Sequence, residues 1–215
     1  MDVTSPQGNS IVFISAPFAF MLMASTFQVS EEPYGLRGAV VGMTLDAFES
    51  VTIPTDSNDA RRLAPETVCE ESGAKLICQW HAGTIGSVLP DRKSQMFTAI
   101  GDGGGYVDFE FITHNGERKL AKIIVRSNME YLDGMLIPMS DVYGTPTIES
   151  EIVQNAYGAQ FEKQTFFWAN SVSSITLETR CGRLNLLCLA ISHTDLISEQ
   201  EQRDEEEMGS AVERL

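Results

Sequence analysis

Four cysteines and three histidines are the side chains of this chain best suited to redox, metal or nucleophilic chemistry. The cysteines fall as two close pairs, Cys69 with Cys78 and Cys181 with Cys188. Folding the first segment about a two-residue turn at Gly73-Ala74 sets Ser72 against Lys75, Glu71 against Leu76, Glu70 against Ile77 and Cys69 against Cys78. Glycine at the first turn position suits a type II′ hairpin. Folding the second segment about Leu184-Asn185 opposes Cys181 and Cys188 in the same way. Residues opposed at a non-hydrogen-bonded position have Cα atoms about 4.5 Å apart, within disulfide reach. The spacing therefore predicts two disulfides with no cysteine left over. The alternative is four reduced cysteines packed as small hydrophobes.

Each histidine meets a simpler reading than catalysis. Cys78-Gln79-Trp80-His81 has a ligand-like spacing, but a zinc site needs about four converging ligands. Cys69 offers a third and the sequence names no fourth, so His81 reads as a strand-end histidine beside a disulfide. His114 and His193 lie in no recognisable partner motif. Cys188 and His193 are five residues apart, which on one strand turns them to opposite faces. No Gly-x-Ser-x-Gly elbow is present. The run Gly101-Asp102-Gly103-Gly104-Gly105 is followed by a strand pattern and lacks the Lys-Ser/Thr of a phosphate loop, so it reads as a hairpin turn. Its single Asp offers too few oxygens for calcium, which takes about six to eight. No catalytic residue, cofactor or metal site is expected. The only residues assigned a special role are the four disulfide cysteines.

Composition narrows the partners. The 215 residues are 43% hydrophobic and 21% charged, a globular balance. Thirty acidic against 15 basic residues give a net charge of −15. That argues against nucleic acid, whose phosphates need clustered Lys and Arg, and against adhesion to an anionic membrane. Ile11 to Phe27 is apolar and is followed by polar Glu31-Glu32-Pro33, which resembles the core and cleavage region of an export signal. Asp2 and the lack of Lys or Arg in residues 1–10 depart from that pattern, and a membrane anchor or a buried strand are the alternatives. Membrane association is expected only through this segment, if it is uncleaved.

The elements that must position the cysteines follow from periodicity. Thr44 suits a helix N-cap, Asp46 its first turn, and Leu45, Phe48 and Val51 a helical face. The cysteine hairpin is expected at 66–72 and 75–81, then strands at Gln95–Ile100, Tyr106–Thr113 and Leu120–Arg126, with turns at Gly101–Gly105 and Asn115-Gly116. Tyr106, Asp108, Glu110 and Ile112 face one way; Val107, Phe109 and Phe111 face the other. A second helix is expected over Asn128–Tyr143, with Met129, Leu132, Leu136, Met139 and Val142 on its apolar face and Gly144-Thr145-Pro146 as its stop. Strands at Gln164–Ala169, Ser173–Arg180 and Leu186–His193 follow, with Phe166 and Trp168 on one face and Phe167 on the other. Six acidic residues and one Arg between Glu199 and Glu207 read as a solvated tail or a frayed helix.

These residues predict an α+β fold of two helix-plus-antiparallel-sheet units packed in tandem, with a short signal-like segment and an acidic C-terminal tail. The expected divisions are 1–30, 34–127, 128–197 and 198–215. Gly42-Met43-Thr44 opening a helix, Val68-Cys69 and Leu76-Ile77-Cys78-Gln79-Trp80 as paired strands, and Tyr143-Gly144-Thr145-Pro146 before the Trp168 strand carry a resemblance. They resemble the small α+β modules of the β-lactamase inhibitor protein and of outer-membrane lipoproteins of the SmpA/OmlA type, exported bacterial proteins, over about 35–195 in tandem. No cysteine precedes position 69, so the lipoprotein attachment site is lacking. The resemblance implies an exported scaffold that binds other proteins. The expected function is thus a non-enzymatic, periplasmic or secreted protein-binding module of the cell envelope with an unknown protein partner and no small-molecule cofactor. The alternatives are a hydrolase or transferase with a dispersed site and a cytoplasmic accessory protein with reduced cysteines.

Overall fold

The computed structural model describes residues 32–54, 65–82 and 94–212. The signal-like segment 1–30, the polar loop 55–64 and the turn at Asp91-Arg92-Lys93 lie outside these residues.

A two-stranded ribbon, β1 (Gly35–Leu36) and β2 (Ala39–Val40), opens the described chain. Most of the rest is strand. β3 (Glu66–Ser72) and β4 (Lys75–Ala82) form the expected hairpin with Cys69 opposite Cys78. Leu76, Cys78, Trp80 and Ala82 of β4 are buried and the residues between them half-buried. Two short strands, β5 (Ser94–Gln95) and β6 (Phe97–Ile100), lead into β7 (Gly103–His114) and β8 (Glu117–Asn128). Asn115 and Gly116, with φ of 50° and 82°, supply the tight turn between the last two. β9 (Thr147–Gln154), β10 (Gln160–Ala169), β11 (Ser173–Thr179) and β12 (Leu186–His193) form an antiparallel meander. β9 lies where only an irregular loop was expected.

The expected pair of tandem helix-plus-sheet units does not form. β12 pairs antiparallel with β8, Leu189 opposite Val125 and Ile191 opposite Ile123. Both halves of the chain therefore enter one ten-stranded antiparallel sheet, ordered β3-β4-β7-β8-β12-β11-β10-β9, with β5 on β4 and β6 on β7. The molecule is mostly antiparallel β, not an α+β tandem. Sequence patterns report hairpin neighbours joined by tight turns. The β8–β12 ladder closes over the whole second meander, and such a pairing leaves no local signal.

Helices cover the two faces unequally. α1 (Leu45–Glu49) is capped by Thr44, whose hydroxyl accepts from the Ala47 N–H at 3.3 Å, with Asp46 in the first turn. Its Phe48 is buried against Phe109, ring centroids 4.6 Å apart, and near Trp80. A 3₁₀ turn at Met129–Tyr131 leads into α2 (Leu132–Tyr143), which ends at Gly144 with φ 84°. Met135 and Met139 are its buried residues, whereas Val142 points outward. Met135 takes the place expected for Val142 because the helix meets β7 and β6 near its middle. The glycine run after β6 makes that contact close. A Cβ on Gly134 would fall 2.9 Å from the Asp102 carbonyl carbon, and the Asp102 N–H donates to the Gly134 carbonyl at 3.1 Å.

α3 (Thr194–Val212) packs on the opposite face. Leu196 joins Ile112 and Ala121 in a small second core, and the Arg203 guanidinium donates to the Thr113 carbonyl at 3.0 Å. The expected acidic tail is thus a helix whose first turns are anchored. Its acidic residues lie largely on the outer side, while Leu196 and Gln200 are buried. No helix among the described residues is long and apolar enough to cross a membrane.

Candidate functional site

The face carrying α1, α2 and the β1–β2 ribbon is closed over the main core. The other face is covered, among the described residues, only where α3 sits. Strand alternation dictates what the open part displays. From β4 come Ile77, Gln79 and His81, from β7 Asp108 and Glu110, from β8 Lys122, Ile124 and Arg126. Ala190, Thr176 and Phe167 continue the row to β10, and Phe167 is 42% exposed.

Asp108 is the centre of this face. It is only 8% exposed, and a buried carboxylate needs several donors to offset its lost hydration. Gln79 donates its side-chain N–H to Oδ1 at 2.6 Å, and Gln95 donates to the same oxygen at 3.1 Å. The Arg126 guanidinium pairs with Oδ2. Gln95 also donates to the Val107 carbonyl at 2.9 Å, which fixes its amide. The Gln79 carbonyl lies 3.0 Å from His81 Nε2, extending the chain of bonds to β4's end. A groove of about 310 Å³ opens beside this network, lined by Val68, Glu70, Ile77, Gln79, His81 and Asp108. Arg126 itself is half in solvent, with 51% of its side chain exposed. The arrangement presents a fixed polar array flanked by half-buried isoleucines. It offers hydrogen bonds and apolar contact to a partner, and Ser72 and Glu71 complete the groove's lining.

A second cavity of about 390 Å³ lies at the root of α3, lined by Gly42, His114, His193 and Asp195 among others. His114 Nδ1 lies 2.5 Å from a Glu199 carboxylate oxygen, and the Asn115 amide donates to Nε2 at 2.9 Å. The ring proton is therefore on Nδ1, donated to Glu199, and both nitrogens are engaged. His193 Nδ1 is buried without a hydrogen-bond partner among the described residues, and burial pushes this imidazole below the usual histidine range; Asp195 opposes the shift and His114 adds to it. Gly42, at φ 91°, is required here because a Cβ would meet the His193 ring at 2.8 Å. Among the described residues the cavity's lining is completed by Asn115, Glu117, Lys119 and Leu196.

The role of the cysteines is structural. Both disulfides form, and no cysteine is free. Cys69–Cys78 joins directly opposed residues, Cα atoms 4.0 Å apart, on the covered face. Cys181–Cys188 does not follow the expected register. Thr179 opposes Leu187 and Glu178 opposes Cys188, so Cys181 lies in the connecting loop, its Cα 5.9 Å from that of its mate. Arg180, at φ 57°, takes the chain out of the ladder one residue early. His81 and Cys78 point to opposite faces, and among the described residues no three His, Cys, Asp or Glu side chains converge as metal ligands.

The chain matches no family model, no curated protein and no solved structure. The open face must speak for itself. Sequence alternation placed Asp108 on the same side as Glu110 and Ile112, but its burial depends on Gln79, Gln95 and Arg126 from three other strands. Only the run of polar residues at alternate positions in β4, β7 and β8 hinted at it.

Proposed function

We propose that this protein is a non-enzymatic binding module of an oxidising compartment, periplasmic or secreted, that holds a basic protein against the open face of its sheet. The observation that carries the reading is the face left open among the described residues, with its pre-organised Asp108 network among Ile77, Ile124 and Phe167. Eight strands at about 4.8 Å spacing make a face about 34 Å wide. A standard interface takes about 800 Å² from each partner, which such a width reaches with about seven residues of strand length. The net charge of −15 favours a basic partner by steering and by complementarity at the rim. Two disulfides closing short loops support an oxidising compartment, where such bonds persist.

A photo-crosslinking residue placed at Phe167 or Arg126, with Glu49 of α1 as control, tests this in the cells that make the protein. Crosslinks to one basic protein from the first two positions only, lost on Phe167→Asp, are the expected result. Equal crosslinking from Glu49, or none from the open face, would overturn the reading.

A further inference from the structure

We propose that β9 is a docking edge that accepts an extended segment of another protein, basic at alternate residues and apolar between them, as an added strand. This goes beyond the open-face reading, since it uses the sheet's margin and its main-chain groups.

β9 pairs with β10 along its whole length, from Gln154 opposite Gln160 to Thr147 opposite Phe167. No strand lies on its other side among the described residues. In an antiparallel ladder every second residue of an edge strand turns its N–H and C=O outward. Eight residues at about 3.4 Å give about 27 Å of such edge, long enough for a stable added strand. Edges are ordinarily blunted by brevity, charged side chains (lysine above all), proline, a bulge or cover. Thr147–Gln154 is long, contains no Lys or Pro and keeps an unbroken register with β10; its charges are Glu149 and Glu151, which repel an acidic strand and admit a basic one.

The side chains specify the occupant. Ile148 and Ile152, 55% and 65% exposed, stand on the α2 side of the sheet beside buried Phe166. Glu149 and Glu151 stand on the other side, together with Glu178. Lys163 is the basic residue among these three carboxylates, 3.0 Å from Glu151 and 3.9 Å from Glu178. The hydrogen bond it donates to Glu151, with the field of both glutamates, holds its ammonium above the usual lysine value despite partial burial. The margin therefore keeps an excess of negative charge on one side and, on the other, two exposed isoleucines with Glu162 behind Ile152 on β10. A strand laid beside it meets favourable charge if its residues on the glutamate side are Lys or Arg, and favourable burial if those between are apolar. A second copy of this chain fits poorly. Antiparallel pairing about Ser150 would set Glu149 against Glu151 twice, between molecules each carrying −15.

The test uses an eight-residue labelled peptide of alternating Lys and Val, read by fluorescence anisotropy with the full chain. A block peptide of the same composition and an alternating Glu/Val peptide are the controls. The alternating Lys/Val peptide should bind and the controls should not. Hydrogen exchange should show new protection confined to β9. Glu149→Lys should weaken the Lys/Val peptide about tenfold, a change of about 1.4 kcal/mol, and admit the Glu/Val peptide instead. Thermal melting of the variant checks that the fold is kept, and Ile152→Lys is the second variant should the first unfold. No binding, equal binding of the block peptide, or protection outside β9 would each overturn the inference. Because the probe is a free peptide at the margin, its failure leaves the open-face reading untouched, and a silent open face leaves this one standing.

Discussion

Phe109 and Asp108 are neighbours in β7 and point to opposite faces of one sheet. Both are almost fully buried, Phe109 at 0% and Asp108 at 8% exposure. Phe109 is buried by a second layer, the ring of Phe48 from α1, and by Trp80 beside it on β4, each ring 4.6 Å away. Asp108 is buried by its own sheet, under the long side chains of Gln79, Gln95 and Arg126. One face is thus held by close packing of apolar volume, the other by satisfied polar groups that still look outward. The difference teaches where a partner can bind without unfolding anything. A hydrogen-bonded array loses little when a ligand replaces its water, whereas the aromatic layer is already filled.

The comparison breaks most easily at the pair itself. Phe109→Ala should cost about 3–5 kcal/mol, the transfer term plus an unfilled cavity beneath α1. Asp108→Asn keeps the shape but sets an amide N–H₂ among three donors, and should cost about 1–3 kcal/mol. Urea denaturation of the two variants measures both. Equal losses would mean that the open face contributes to stability as heavily as the core does, and would weaken its reading as a binding surface.

The disulfides give the next effect, one on each face. Their cysteines are separated by 9 and 7 positions, so loop closure alone contributes about 2–3 kcal/mol for each. Cys78 is also 0% exposed and packs in the main core, while Cys188 is half-buried on the open face. The Cys69→Ala, Cys78→Ala double variant should therefore lose more than the Cys181→Ala, Cys188→Ala variant. Denaturant midpoints of the two, against the oxidised parent, decide it. The reverse order would show that the open face depends on its staple more than its half-buried residues indicate.

The same contrast explains what can be read from the chain. Elements set by residues a few positions apart are legible. Thr44 and Asp46 announce α1, Asn115-Gly116 the β7–β8 turn, and Cys69 opposite Cys78 the register of the first hairpin. The split of Phe166 and Trp168 from Phe167 holds in the fold, with the first two at 4% exposure. What depends on distant partners is not legible. β8 and β12 share one apolar pattern whether they are margins of two sheets or the centre of one. β9 reads Thr-Ile-Glu-Ser-Glu-Ile-Val-Gln, too polar to declare a strand without β10 beside it. The Asp108 array draws on four strands, so no window of sequence contains it. Proximity in the chain announces the second cystine but not its register, because Arg180 adopts a left-handed backbone that hydrophobic pattern does not encode.

The smallest effect lies at the rim where the two faces meet, and it is read by pH. His193 ends β12 with its ring against Gly42, and its cavity also presents His114, Lys119, Glu117 and Asp195. Burial depresses its folded-state value below the unfolded value of about 6.5, with Asp195 pulling the other way. Below that unfolded value the unfolded chain binds the proton more readily than the folded one, so protonation favours unfolding. The contribution of neutral His193 is therefore complete above about pH 6.5 and is lost as pH falls from there toward the folded-state value. His193→Gln removes the titration while keeping a polar side chain of similar reach. Its stability between pH 7.5 and 5 should fall less steeply than the parent's, measured by urea denaturation at each pH. An unchanged slope would mean that the buried Nδ1 is not desolvated as its surroundings indicate, and that the rim belongs with the open, water-facing side of the sheet.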